Sequence, residues 1–385
     1  MKILLIVHYE FNPNAGAAGV TWQLAQEYRK LGHEVLYYSF DNLPHWIPNL
    51  VKRVVFPQFV AYHIWNFSRQ QAIDVVDACT TDTWLWGKIR QSLGKSHPLI
   101  AIRDHGLEHV EHLEFLEDVK LGKRPMSWKY ALYRGSIRLW EEAISMRDSD
   151  LVLLLNSRAQ KYAIAQLGIK PEKTRLIVNG IPEFFLNLPF DPISATEASV
   201  IRIATIGTYI PRKGIQYSVP ALNRILTRYP QVQVTFLGTE CRECQDVAQV
   251  YADFEPTVRD RVVVIPRYNR QTLPNLLVGH HIKLLPSTSE AFGMALIEAM
   301  ACGLAPIATA TPGPIRVVRD GHDAMIIPPR NSQAIEQALE RAIDDRPYLD
   351  RLRRNAHATA QNYSWTRIAR ETLTFYEEAL SQREN

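Results

Sequence analysis

The sequence predicts two successive α/β domains, each built on a parallel sheet. Three observations carry that expectation. At 385 residues the chain is longer than one ordinary core accommodates. Short apolar runs alternate with segments of helical period almost from end to end. The alternation breaks once, over 181–198 (IPEFFLNLPFDPISATEA), where three prolines fall in a stretch with no sustained period.

The first domain opens with an apolar strand at Lys2–His8, a small-residue loop at Asn12–Gly19 (NPNAGAAG) and a helix at Val20–Leu31, whose apolar residues recur at helical spacing. A second strand follows at Val35–Ser39. Strand, glycine loop, helix and strand make a βαβ unit with a right-handed crossover. The loop is not G-x-G-x-x-G, so a dinucleotide fingerprint is absent. Further strands are expected at Val75–Ala78, Leu99–Ile102, Leu151–Leu155 and Arg175–Val178, with a helix at Ile137–Met146.

After the break the alternation restarts. Strands are expected at Ile201–Ile206, Val232–Leu237, Val262–Ile265, His281–Leu285, Leu304–Thr309 and Met325–Ile327. Helices are expected at Ile215–Tyr229, Leu273–Gly279, Ser332–Asp344, Pro347–Gln361 and, amphipathic, Trp365–Arg383. The domains are set at 1–185 and 200–364, with 186–199 as linker and 365–385 as a C-terminal helix.

Composition narrows the function. A hydrophobic share of 46% and a charged share of 22% describe a soluble globular chain, and a net charge of +4 is too slight to suggest nucleic-acid binding. No apolar run reaches the ~20 residues that span a bilayer. The amino terminus reads as a buried strand instead of a signal peptide. Four cysteines do not make a disulfide framework. The expectation is a cytoplasmic protein.

Chemistry concentrates in Ser287–Pro312 (STSEAFGMALIEAMACGLAPIATATP), where Glu290 and Glu298 stand on either side of Phe292-Gly293. A glycoside-hydrolase acid/base pair needs carboxylates about 5–9.5 Å apart. Eight helical steps already span roughly 12 Å, which suits two ends of one extended ligand. Gly293 opens a helix whose free N–H groups favour an anion or a sugar hydroxyl. A core helix with two exposed glutamates fits the same periodicity. Upstream, Gly207–Gly214 (GTYIPRKG) follows the first strand of the second domain, the place where parallel sheets bind ligands. Arg212 and Lys213 there suit a diphosphate, or form a solvated basic turn.

These motifs together, with C-G-x-x-P-I-A-T from Cys302, resemble the retaining GT-B glycosyltransferases of family 4 (glycosyl transferases group 1). The first domain adds Asp104-His105-Gly106, Glu141 with Asp150-Leu151-Val152 and Asn156-Ser157, and Val178-Asn179-Gly180. The resemblance implies two Rossmann-like domains facing across a cleft, with the C-terminal helix returning to the first. It implies transfer of a sugar from a UDP- or GDP-sugar to a hydroxyl acceptor, with retained configuration and no catalytic metal or cofactor. Lys213, with Arg212, would bind the diphosphate. Glu290 would lie at the donor sugar, the Ala291, Phe292, Gly293 and Met294 backbone at its hydroxyls, and Glu298 at the ribose. His105 would sit near the reacting centre, and Gly16 and Gly19 would let the first loop approach the phosphates.

Two positions depart from the family pattern. Thr208 stands where an arginine is usual, and Pro312-Gly313-Pro314-Ile315-Arg316 replaces a Gly-Gly pair followed by glutamate. A nucleotide-sugar epimerase of the same architecture, or a catalytically weakened sugar-nucleotide-binding protein, are the rival readings. Cys241 and Cys244 form C-x-x-C without the further ligands of a zinc site. His109 and His112 read as surface residues, and no metal is expected at His105, His109 and His112. The stretch Val119–Trp140 holds Lys120, Lys123, Arg124, Lys129, Arg134 and Arg138 among Trp128, Tyr130, Tyr133 and Trp140 without an acid. Such a stretch can lie on an anionic membrane, grip nucleic acid or form a solvated helix face; peripheral membrane contact with a glycolipid or other membrane-surface acceptor is the preferred expectation, and a soluble or polysaccharide acceptor the alternative.

Overall fold

A computed structural model describes residues 1–13, 16–92, 97–122, 124–193 and 200–384 of the chain. It divides into two compact units, residues 1–179 with 365–385, and residues 180–364.

In the first unit, β1 (Lys2–Val7), β2 (Glu34–Ser39), β3 (Val75–Cys79), β4 (Leu99–Arg103), β5 (Leu151–Leu154) and β6 (Thr174–Leu176) form a parallel sheet ordered β2-β1-β3-β4-β5-β6. The strands are mostly apolar, as a parallel sheet covered on both faces requires, with Asp77 of β3 and Arg103 of β4 the buried charged exceptions. Strand order reverses between β1 and β3, so ligands are expected at the carboxyl ends of those strands.

Two long helices go beyond the sequence expectations. Asn49–Gln70 is helical through Pro57 and buries Phe56, Val60 and Ile64, a stripe of four-residue spacing. Glu108–Lys120 begins just beyond Gly106. The first helix starts at Gly16, earlier than the apolar period at Val20 suggests.

The second unit holds β7 (Ile201–Ile206), β8 (Val232–Leu237), β9 (Val262–Ile265), β10 (Ile282–Leu285), β11 (Ala305–Thr309) and β12 (Met325–Ile327), all parallel and ordered β12-β11-β10-β7-β8-β9. Here the order reverses between β7 and β10. The loops that leave these two strands carry both motifs singled out in the sequence. Residues 186–193 of the expected linker pack on this unit: Ile193 N–H donates to Asp350 at 3.1 Å, and Arg353 donates to the Asp191 carbonyl at 2.8 Å. Residues 194–199 lie outside the described residues. The contact boundary falls between Asn179 and Gly180, ahead of the expected linker.

The helix Trp365–Glu384 belongs to the first unit. Its Tyr376 hydroxyl is fully buried and donates to Asp77, the carboxylate that also takes two hydrogen bonds from Arg103, at 2.8 and 3.0 Å. Tyr28 completes the cluster, 3.3 Å from the Tyr376 hydroxyl. A buried ion pair of this kind is stable only while its remaining lone pairs and protons are matched. Tyr376→Phe is therefore expected to lower the stability of the first unit by about 1–3 kcal/mol in urea unfolding. An unchanged midpoint would mean that the cluster does not hold the helix.

Candidate functional site

The site in the second unit is built from two loops tied backbone to backbone. After β7 the chain turns through Pro211–Lys213 to Gly214, which adopts a left-handed conformation (φ 77°). A side chain there would collide with the Pro286 carbonyl oxygen, so only glycine admits the close approach of the loop that follows β10. The Arg212 carbonyl then accepts from Thr288 N–H at 2.9 Å and from its hydroxyl at 3.2 Å.

This clamp brings Lys213 to Glu290: the ammonium donates to the carboxylate at 2.7 Å. Burial alone would raise the Glu290 pKa, but Lys213, by charge and hydrogen bond, outweighs it and holds the group below its ordinary value. The Arg212 side chain is exposed and adds charge only at longer range. Thr208 lies half-buried at the end of β7.

The second departure from the family pattern has a visible job. Gly313 N–H donates to the Glu290 carbonyl at 2.9 Å, and a Cβ on Gly313 would meet Phe292 backbone atoms at 2.5 and 2.6 Å. Pro312-Gly313-Pro314 thus sets the backbone of Glu290, Ala291 and Phe292. Gly293 caps the helix Met294–Ala301, in which Glu298 is buried. Sequence reasoning missed the partner of Glu298. Arg270, from the turn after β9, donates to it through Nε at 2.8 Å and again through Nη2. Its signal was position, at the carboxyl end of a parallel strand. Tyr268 lies near this pair, its phenol pushed up to about 12 by burial and then by Glu298.

A third cation was also missed. Lys283, in the middle of β10, is completely buried, and its Nζ has no hydrogen-bond partner. Burial first and Lys213 second pull its pKa down to about 7, against the pull of Glu290 and Glu298. A lysine inside an apolar strand was the available signal.

The first unit gathers a polar cluster at its own carboxyl edge. His8 donates from Nδ1 to Asp82 at 2.8 Å and accepts from Arg138 at Nε2, also at 2.8 Å. His105 follows β4, and burial, Arg103 and His8 depress its pKa to about 3, so the imidazole is neutral. Glu141 is pushed up to about 7 by burial, which Arg138 opposes and Asp82 and Glu108 reinforce. His8, Cys79 and Asp82 place three potential ligand atoms within 4.8 Å of one another. Arg138 already occupies Nε2, and burial keeps Cys79 a thiol, so the group reads as a hydrogen-bond cluster.

Other expectations need correcting. His109 is not a surface residue: its ring and backbone N–H donate to the buried Glu142 at 2.7 and 3.1 Å. His112 lies 3.1 Å from the Tyr130 hydroxyl. Arg138 drops out of the basic patch, because it is buried against Glu108 and His8. Lys120, Arg124, Lys129 and Arg134 remain exposed beside Met126, Trp128, Leu132, Ile137 and Trp140, while Lys123 lies outside the described residues. No helix among the described residues is long and apolar enough to cross a membrane. Gly16 opens the first helix with free space beside it, whereas a Cβ on Gly19, in the first turn of that helix, would come within 2.8 Å of the Pro13 carbonyl oxygen.

Comparison with known proteins places both units. The family described as glycosyl transferases group 1 matches residues 192–359, and glycosyltransferase family 4 matches residues 15–183. A subunit of the phosphatidylinositol N-acetylglucosaminyltransferase of Arabidopsis thaliana is 24% identical over 99% of the chain and 82% of its own length. An uncharacterized glycosyltransferase of Methanocaldococcus jannaschii is 25% identical over 62% of the chain, which spans 63% of that relative. Among solved structures, sucrose-phosphate synthase of Thermosynechococcus elongatus superposes with a TM-score of 0.77 at 20% identity, over 99% of this chain and 100% of that one. Anabaena HepE in complex with UDP-glucose gives 0.69 at 18% identity, over 99% and 100%. These structures share the GT-B fold. None of these four proteins is named as an epimerase.

Lys283 yields a test that needs no ligand. In the folded protein it loses its proton near pH 7, whereas in the unfolded chain it does so near 10.5. Between those values the unfolded state binds more protons, so stability rises with pH across that window. Lys283→Met is expected to raise the thermal midpoint by at least about 3 °C at pH 7, and the gain should shrink toward pH 10. A gain independent of pH would show that Lys283 titrates normally.

Proposed function

Because the chain belongs to the glycosyltransferases of family 4, we propose that it transfers a sugar from a nucleotide-diphosphate sugar to a hydroxyl acceptor with retention of configuration. The observation that carries this is the pair of cation-matched carboxylates, Lys213–Glu290 on the loops at the strand-order reversal of the second sheet, and Arg270–Glu298 joining the turn after β9 to the helix Met294–Ala301. Lys213 is already positioned against Glu290, so it exchanges one anion for another when a diphosphate arrives. Its charge then stabilises the negative charge that develops on the leaving diphosphate. Glu290 takes the donor sugar, with the Ala291–Met294 backbone at its hydroxyls, and Glu298 takes the ribose. The neutral imidazole of His105 serves near the reacting carbon as a hydrogen-bonding group without adding charge. A leaving phosphate oxygen is the proton acceptor for the incoming hydroxyl, and the cations supply the neutralisation a divalent metal would give. The Anabaena neighbour in complex with UDP-glucose supports a donor of this class.

The acceptor side belongs to the first unit and its exposed basic aromatic stretch. Trp128, 71% exposed, and Leu132, 60% exposed, stand one helical turn apart among Arg124, Lys129 and Arg134. That combination suits an anionic bilayer surface and an acceptor presented from it, with the protein cytoplasmic and peripheral.

Lys213→Ala and Glu298→Ala are expected to lower transfer by at least about 100-fold while the far-ultraviolet spectrum stays unchanged. The donor for the assay is the UDP- or GDP-sugar that most raises the thermal midpoint, and the product's anomeric coupling reads retention. Full turnover in both variants would overturn the assignment. Flotation with phosphatidylserine vesicles should fall markedly when Lys120, Arg124, Lys129 and Arg134 are neutralised, and equal flotation would remove the membrane reading.

A further inference from the structure

Lys283 is a buried ionisable group for which the reading above has no role. It pairs in register with Ala204 of β7 and Pro306 of β11, and it is wholly excluded from solvent. Its strand neighbours Ile282 and Leu284 belong to the apolar core on one face of the sheet, so Lys283 and Leu285 point to the other. That face lies under the helix Met294–Ala301, since Leu285 comes within 3.8 Å of a Cβ built on Gly293.

The groups acting on it come from every side. Lys213 belongs to the loop after β7, Glu290 to the loop after β10, and Glu298 to the helix, with Arg270 behind it. Ala204 and Pro306 flank it without charge, and further along the row Thr235 of β8 is bound to His280. Both carboxylates are already engaged, Glu290 by Lys213 and Glu298 by Arg270. The Lys283 nitrogen is left with no acceptor of its own.

An anionic ligand changes that balance. A diphosphate that draws Lys213 to itself removes a repelling cation and releases Glu290. Each negative charge gained within reach raises the proton affinity of a buried amine by on the order of tenfold. We propose that Lys283 is a positioning residue of the donor site, a neutral amine while the site is empty that takes up one proton from solvent when a nucleotide sugar binds, and then holds Glu290 and Glu298 from below. The inference rests on the donor reading given above. No bond to the ligand forms or breaks, and the proton comes from the buffer.

Titration calorimetry with UDP-glucose and GDP-mannose, in phosphate and in Tris near pH 8, reads the uptake directly. Wild type is expected to show a binding heat that differs between buffers by a sizeable fraction of one ionisation. Lys283→Met should give equal heats, and so should Lys283→Gln, which keeps a polar end with no proton to gain. The wild-type Kd should weaken by up to about tenfold per pH unit above pH 7 while both variants stay flat. Binding without a buffer effect, or the same uptake in the variants, overturns the proposal and leaves the donor reading standing. If neither sugar binds wild type at any pH, the donor reading falls and this proposal falls with it.

Discussion

The Lys213 ammonium and the Glu290 carboxylate meet between two loops that leave neighbouring strands in the middle of the second sheet. The meeting requires the backbones to touch, and Gly214 against Pro286 is where they do. From that contact the rest of the site follows. Thr288 is fixed by the Arg212 carbonyl, Gly313 fixes Glu290 from the far side, and the short helix starts where Gly293 turns the chain. A side chain at Gly214 would separate the loops and leave Glu290 half-buried with no cation.

Two carboxylates withdrawn from solvent are each matched by one cation, which offsets the cost of burying them without a ligand. A matched pair is also a store of binding partners. Lys213 and Arg270 each hold a carboxylate that a substrate's phosphate or hydroxyl can replace or share. The first unit handles its charges differently. There His8, Asp82, Arg138, Glu108 and Glu141 are packed so closely that one carboxyl is pushed toward neutrality.

Most strands were legible because buried parallel strands are dominated by apolar residues, and β7, β8, β9 and β12 match their expected limits residue for residue. The candidate site was legible where its residues are close in sequence, from Glu290 to Glu298. It was not legible where a partner comes from far along the chain. Arg270 meets Glu298 through tertiary packing, and nothing local in RYNRQT distinguishes it from a surface arginine. Lys283 was hidden by the reverse effect, since HIKLL reads as a buried strand and its charge passes for a break in hydropathy. The helix Asn49–Gln70 was obscured by Pro48 and Pro57, although Pro48 lies outside it and the stripe through Phe56, Val60 and Ile64 was present.

The helix Trp365–Glu384 follows the second unit in the chain, yet it completes the first. During synthesis the 180–364 unit therefore has all its strands in hand before the earlier unit receives Tyr376. Until then Asp77 and Arg103 lack their hydroxyl partner, and Tyr28 lacks the ring that packs against it. The first half of the chain emerges first and finishes last, so a ribosome stalled within the second unit would present a nascent chain whose exposed weakness lies behind it.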